Sequence, residues 1–539
     1  MSAARFAAIA VVLLLGACTK FGTASTTIHS PDYLVRGNGA ELKSLDPHYI
    51  DGNWESNVVG DMLIGLTTDA PDGTAMPGAA TSWETSADGK TWTFHLRDHV
   101  WSDGVPVTAQ DFVFAWRRIL EPARGAPYAY YLWLIKNGKA ISDGALPPEK
   151  LGVTAKDDKT LVVQLEHPAP YMLEYLLHQA VYPVPRHQVL AKGDAWSKPG
   201  NYVANGPYLP KEWVVNDHIT LVKNPRFYDA ANVHLQTVIY KPTSDTLAAL
   251  KAIRAGELDT QNLVPAAEIA WMRRNIPRAL QLRTYLGVNY LTTNFKRKPF
   301  RDLRLRQAIA LAVDRETIVD KILRLGEVPA YRLVPPGTAN YPDGAHMWFQ
   351  SWPQQQRIAK ARALMVEMGY GPGRHFHTTY DTTTTPDAKR TAAVLQSMLR
   401  DIYIDVDIVT SDTQFYYKKL QEGDFDIATG AWIGDFDDAG TFLDLLQSQS
   451  GNNYGHYASP VFDSLLAKSY QTVDPKARGE MLRRAEQTAL DDLGVIPSRF
   501  VVTQDIVEPY VKGWIPNVRD FNRSRWLSID PSAGVERGH

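Results

Sequence analysis

The chain has 539 residues, 44% of them hydrophobic and 22% charged, with a formal net charge of −2 at pH 7. That balance is ordinary for a globular protein and excludes attraction to nucleic acid or anionic membranes through bulk charge. The length is too great for one hydrophobic core, so two or three domains are expected. The 14 Trp, 25 Tyr and 17 Phe supply the cores and leave a surplus compatible with an aromatic-lined cleft.

The chain opens with Arg5 and an apolar run from Phe6 to Leu15, with no acidic residue before Cys18. This is the layout of a secretory signal, and its apolar part is too short to span a bilayer. Leu15-Gly16-Ala17-Cys18 resembles a bacterial lipobox, which implies cleavage after residue 17 and a lipid on the Cys18 thiol. An ordinary signal peptide with a coincidental cysteine is the alternative. Both readings put the mature protein outside the cytoplasm. Cys18 is the only cysteine, so no internal disulfide forms. Residues 18–31 read as a polar tether. No later run reaches the roughly 18 apolar residues of a membrane span, so the lipid would be the sole membrane attachment.

Strands are expected at Tyr33–Arg36, at Thr91–Leu96, which alternates polar and apolar, and at Leu161–Leu165. Trp101-Ser102-Asp103-Gly104 reads as a turn. Thr108 with Asp111 three residues on reads as a capping box opening a helix that buries Phe112, Ala115, Trp116 and Ile119. Ile219–Val222 and Val238–Tyr240 read as strands, and Asp245 to Gly256 as a capped helix. Helices follow at Arg301–Val313, Asp314–Leu323, Pro353–Met368 and Asp387–Asp401. Strand Ile404–Val409, helix Gln414–Gln421 and strand Phe425–Trp432 come next. Two helices opened by Pro460 and Pro475 precede a last strand, Val495–Thr503. The alternation predicts an α/β protein with a mostly parallel core sheet.

Chemistry-bearing motifs are sparse. The sequence has no G-x-S-x-G, H-E-x-x-H, P-loop or G-x-G-x-x-G pattern. His375 and His377 share a strand face but lack a third ligand, so no metal is expected. Asp435-Phe436-Asp437-Asp438-Ala439-Gly440 fails as a calcium loop, because position five is Ala439 and position twelve is Leu446. What remains is a carboxylate cluster past the carboxyl end of a strand, where α/β sheets gather ligands. A solvated loop with a helix cap is the competing reading.

Several stretches share one order. They are Leu45-Asp46-Pro47-His48, Trp101-Ser102-Asp103-Gly104, Pro106 to Val113, Asn205-Gly206-Pro207-Tyr208, Trp213 to Asn216, Asn224-Pro225, Arg306 to Arg315, Tyr454-Gly455-His456-Tyr457 and Ser459-Pro460. In this series, from about Tyr33 to Trp526, the chain resembles the periplasmic oligopeptide-binding proteins of ABC importers, within the oligopeptide, dipeptide and nickel-binding group. The resemblance implies a two-lobed Venus-flytrap fold of the periplasmic-binding type (type II, large cluster) with an inserted domain. Lobe I is expected from 32–62, 186–283 and 502–530, the insert from 63–185 and lobe II from 284–501. It further implies a non-enzymatic protein without cofactor that encloses short peptides. Its partners would be an ABC permease and ATPase, its attachment the Cys18 lipid, and its state monomeric.

By the same resemblance Asp435 binds the peptide α-ammonium, with Trp432 beside it. Asp51-Gly52-Asn53 lies along the ligand and Tyr131 touches it. For Trp432 and Tyr131 plain core packing is the competing reading. Two arginines expected near the acidic loop fall on Leu420 and Thr429, and an expected histidine falls near Asp387. Lys389, Arg390, Arg324 and Arg499 are the substitutes for meeting a peptide C-terminus. A secreted hydrolase or peptidase, and a family member repurposed as a receptor or chaperone, are the other function classes.

Overall fold

The computed structural model describes residues 30–535. The predicted signal segment, Cys18 and all of the tether but its last two residues lie outside them. Among the described residues no helix is long and apolar enough to cross a membrane.

One eleven-stranded sheet runs through the described residues. Its order is Ile404–Ser411, Phe376–Thr383, Ile427–Ile433, Leu280–Thr293, Ile496–Val507, Thr260–Asn262, Tyr33–Gly37, Thr237–Lys241, His218–Lys223 and Tyr208–Val214, with Val328–Pro329 paired to Ile496–Val507 off this path. The expectation of a mostly parallel sheet is corrected: the sheet is mixed. Tyr33–Gly37 and Phe376–Thr383 pair parallel with both neighbours. The other pairs are antiparallel. The reason is the central pair of long strands, which run through both halves of the sheet in opposite directions.

That pair makes the two-lobed form. Leu280 to Thr284 pairs with Ile506 to Val502, and pairing resumes at Val288 with Phe500. Tyr285, Leu286 and Gly287 are left over as a bulge, which bends the strand and frees its side chains from strict alternation. The Leu286 N–H bonds the Val518 carbonyl at 2.7 Å, and the Gly434 N–H bonds the Leu286 carbonyl at 2.8 Å.

Alternation sorts the cores. Val288 and Tyr290 join one apolar cluster with Phe442 and Leu482, while Leu291 joins another with Leu305 and Leu395. In the other half Leu34 and Val35 likewise face different clusters. Residues 80–164 carry their own four-stranded antiparallel sheet. Its Phe94 and the helix residue Trp116 nevertheless share one continuous core with Leu34, Tyr208 and Val238.

Local signals act as read. The Thr108 N–H donates to Asp111 Oδ2 at 2.9 Å, opening helix Ala109–Ile119. Asp111 also receives the Trp101 indole at 3.4 Å and the Arg186 N–H at 3.2 Å. Asp314 accepts the Thr317 N–H at 2.9 Å, but the following Thr317–Leu323 turn is π-helical.

Candidate ligand-binding site

Two adjoining cavities lie where the long strands change lobe. The first, of about 330 Å³, is lined by Asp51, Asn53, Tyr128, His178, Asp435 and Arg519 among others. The second, of about 540 Å³, runs along strand Ile496–Val507 past Gly52, Trp54, Glu327 and Asp505. Asp51, Asn53 and Tyr285 border both, so the two are neighbours across these side chains.

Asp435 stands two residues past strand Ile427–Ile433. Its N–H bonds Thr441 Oγ1 at 3.3 Å, and the same hydroxyl receives the Trp432 indole at 3.2 Å. Its carboxylate has no hydrogen-bond donor or cation beside it among the described residues, and burial alone pushes its pKa up to about 6. Its neighbours in the acidic loop differ. Asp437 accepts the Ala339 N–H at 2.8 Å. Asp438 takes both terminal nitrogens of Arg478, at 2.5 and 2.7 Å, and caps Gly440 at 2.8 Å. The helix-cap reading of the loop thus belongs to Asp438. Asp435 is left facing the cavity uncompensated, and only an incoming donor or cation relieves it.

Opposite stands the start of helix Asn53–Met62. Glu55 reaches back to accept the N–H groups of Asp51 and Gly52 at 3.1 and 3.0 Å, fixing the loop. A Cβ on Gly52 would sit 2.5 Å from the Trp54 ring, so the close turn requires glycine. Asp51 pairs with Lys43, and Asn53 reaches the Tyr285 hydroxyl at 3.4 Å. Asp51, Asn53 and Asp435 therefore meet at one cavity, and Gly52 borders the next.

Tyr131 and Trp432 sit one layer back. Tyr131 is 2% exposed, stacks on Tyr175 at 4.0 Å and on His178 at 4.3 Å, and donates to the Tyr175 carbonyl. Neither residue borders either cavity. Tyr128, three residues earlier, takes the wall position, packed on His178 at 4.4 Å. Desolvation drives the pKa of His178 down to about 3, so it is neutral.

Leu420 is buried with Tyr416 and Phe425, and the Thr429 side chain bonds the Tyr380 hydroxyl. Arg390 pairs with Asp387 at 2.5 Å and Arg499 with Glu327 at 2.9 Å. None of Lys389, Arg390, Arg324 and Arg499 borders the cavities. Arg519 does, and nothing local in the sequence marks it. Its Nη1 bonds Asp69 at 2.6 Å, and Asp69 also holds Arg523 at 2.8 Å. His375 and His377 both approach Asp405, at 3.1 and 3.8 Å.

The family model for bacterial extracellular solute-binding proteins, family 5, matches residues 74–454, more than half of the chain. The chain belongs to that family. It is thus a binding protein and not an enzyme. It is 38% identical over 491 residues to the periplasmic oligopeptide-binding protein OppA of Salmonella typhimurium, covering 89% of each chain. Among solved structures, the periplasmic murein tripeptide-binding protein MppA in its unliganded open form superposes with a TM-score of 0.86 at 33% identity, covering 93% of this chain and 98% of that one. OppA of Haemophilus influenzae in complex with RPPGFSPFR gives 0.73 at 34% identity, covering 93% and 99%. The lobes of this chain thus follow the open form more nearly than the peptide complex.

Proposed function

We propose that this protein is a lipid-anchored extracytoplasmic receptor that encloses short peptides by their free amino end and hands them to an ABC permease and its ATPase. The unpaired Asp435 carboxylate in the hinge cleft carries this reading. An isolated buried carboxylate is costly, and a charge-assisted bond to an ammonium offsets that cost at the moment of binding. Similarity to proteins named for oligopeptide and murein tripeptide binding supports a peptide as the bearer of the ammonium.

Asp51 and Asn53 flank the ligand from the facing lobe, and Tyr128 takes the wall place first expected for Tyr131. Lobe I comprises 32–62, 186–283 and 502–530, the insert 63–185 and lobe II 284–501. The central strand pair is the hinge, and closure forms the surface that the permease reads. The protein acts as a monomer tethered through Cys18.

Calorimetric titration of ligand-stripped protein with tri- to pentapeptides tests the reading, using a free-amine pool and its N-acetylated counterpart. The free-amine pool alone should bind. Equal binding of both pools removes the ammonium anchor, and binding of neither removes the peptide.

A further inference from the structure

The second cavity has a chemistry of its own. Among the described residues its wall carries four carboxyl side chains, Asp51, Glu327, Asp505 and Asp520, and no lysine, arginine or histidine. Asp505 lies on the hinge strand and is 3% exposed. It lies beside Asp520, and the two carboxyls perturb one another. Desolvation raises both pKa values, that of Asp505 to about 7, and the charge of Asp505 raises that of Asp520 further, although Arg36 nearby pulls both the other way.

Two acceptor atoms on the same wall are buried without any partner: Glu327 Oε2 and Asn262 Oδ1. The Glu327 side chain is 8% exposed and spends only its other oxygen on Arg499. Orphaned buried acceptors of this kind call for a donor. Trp54 and Tyr285 add aromatic faces beside them. The charges bordering the site from outside are Arg36, Arg499 on Glu327 and Lys43 on Asp51. Each of these cations is held on partners of its own, and neither orphaned acceptor is among them.

We propose that this cavity is a subsite for a cationic, donor-rich side chain, the ammonium of lysine or the guanidinium of arginine, accepted by Glu327, Asn262 and the Asp505–Asp520 pair. The proposal rests on the peptide reading above, because this cavity shares Asp51, Asn53 and Tyr285 with the one that holds Asp435, within reach of a peptide anchored there. A lysine there gives its N–H donors to the orphaned oxygens, and its charge offsets that of the paired carboxyls. An apolar side chain of the same length leaves every acceptor unpaired.

The test uses six tripeptides on an alanine background, with lysine or norleucine at the first, second or third position, titrated into the full-length protein at pH 7. At one position lysine should bind about tenfold or more tighter than norleucine. In the double variant Glu327→Gln, Asp520→Asn that ratio should fall to about one. Asparagine suits the left-handed backbone at Asp520, where φ is 58°, and a thermal melt verifies the fold. Equal affinities for lysine and norleucine at all three positions overturn the subsite while leaving the peptide reading intact. Failure of all six to bind overturns both.

Discussion

At the scale of single residues the account turns on Asp435. Asp435→Asn keeps the shape and removes the charge. Its affinity for free-amine peptides should fall about a hundredfold, as when one partner of a desolvated charge pair is lost, measured by calorimetry. The same variant should be more stable than the parent at pH 7 in urea unfolding, since it removes an unpaired, half-buried carboxylate.

The pH dependence follows with a definite sign. Burial raises the Asp435 pKa from its ordinary value of 3.8 to about 6 in the empty protein. Between those values the folded state holds a proton that the unfolded chain has lost. Stability from this group is therefore present at low pH, is lost as the pH rises through that window, and is constant above it. Binding runs the other way, because the ammonium needs the carboxylate. Affinity should rise from about pH 4 to 6, by up to about tenfold per unit, and fall again above pH ~8 as the peptide amine deprotonates. The acid limb should be absent in Asp435→Asn.

Other residues that carried the family resemblance hold the scaffold. Asp46 of Leu45-Asp46-Pro47-His48 takes Arg118 at 3.1 and 2.7 Å and the Trp196 indole at 3.2 Å. His48 Nδ1 is 2.7 Å from Arg118, and burial drives the His48 pKa down to about 3, leaving it neutral. Arg118→Met strands the Asp46 charge and should cost about 3–5 kcal/mol in denaturant unfolding.

At the scale of elements, local signals were legible and crossings were not. The capping box at Thr108 and Asp111 acts within one turn, so four residues disclose it. Asn205-Gly206-Pro207-Tyr208 was visible only as a motif. Its work is tertiary: Asn205 bonds both the N–H and the carbonyl of Ile64 at 3.0 Å, and the Gly206 N–H bonds Met62 at 2.8 Å. A Cβ on Gly206 would lie 2.5 Å from the Met62 backbone. Gly206→Ala should therefore destabilise the protein by about 1–3 kcal/mol, read by urea unfolding. The strand Leu280–Thr293 escaped the sequence reading for a physical reason. Its first half mixes Gln281, Arg283 and Thr284 with leucines, its bulge breaks the two-residue period, and its second half is almost wholly buried. No single alternation spans both lobes.

At the scale of the whole molecule the two-lobed form followed from an ordered series of motifs, and the ligand cleft followed only in part. The strand end pointed to the acidic cluster as a whole, and the family resemblance singled out Asp435 within it. Arg519 could not. It reaches the cavity through a contact with Asp69, 450 positions away in sequence. Tyr128 and Tyr131 share one short helical turn, and only packing against Tyr175 decides which of them faces the cleft.

Lobes arranged as in an open, unliganded relative imply a further closing movement on binding. A crystal structure of the protein with a free-amine tripeptide, grown near pH 7, tests the central claim most directly. The account predicts the lobes drawn together about the hinge strands and the peptide ammonium about 2.7–2.9 Å from an Asp435 oxygen. A peptide bound with its amino end away from Asp435, or seated outside the hinge cleft, would contradict it.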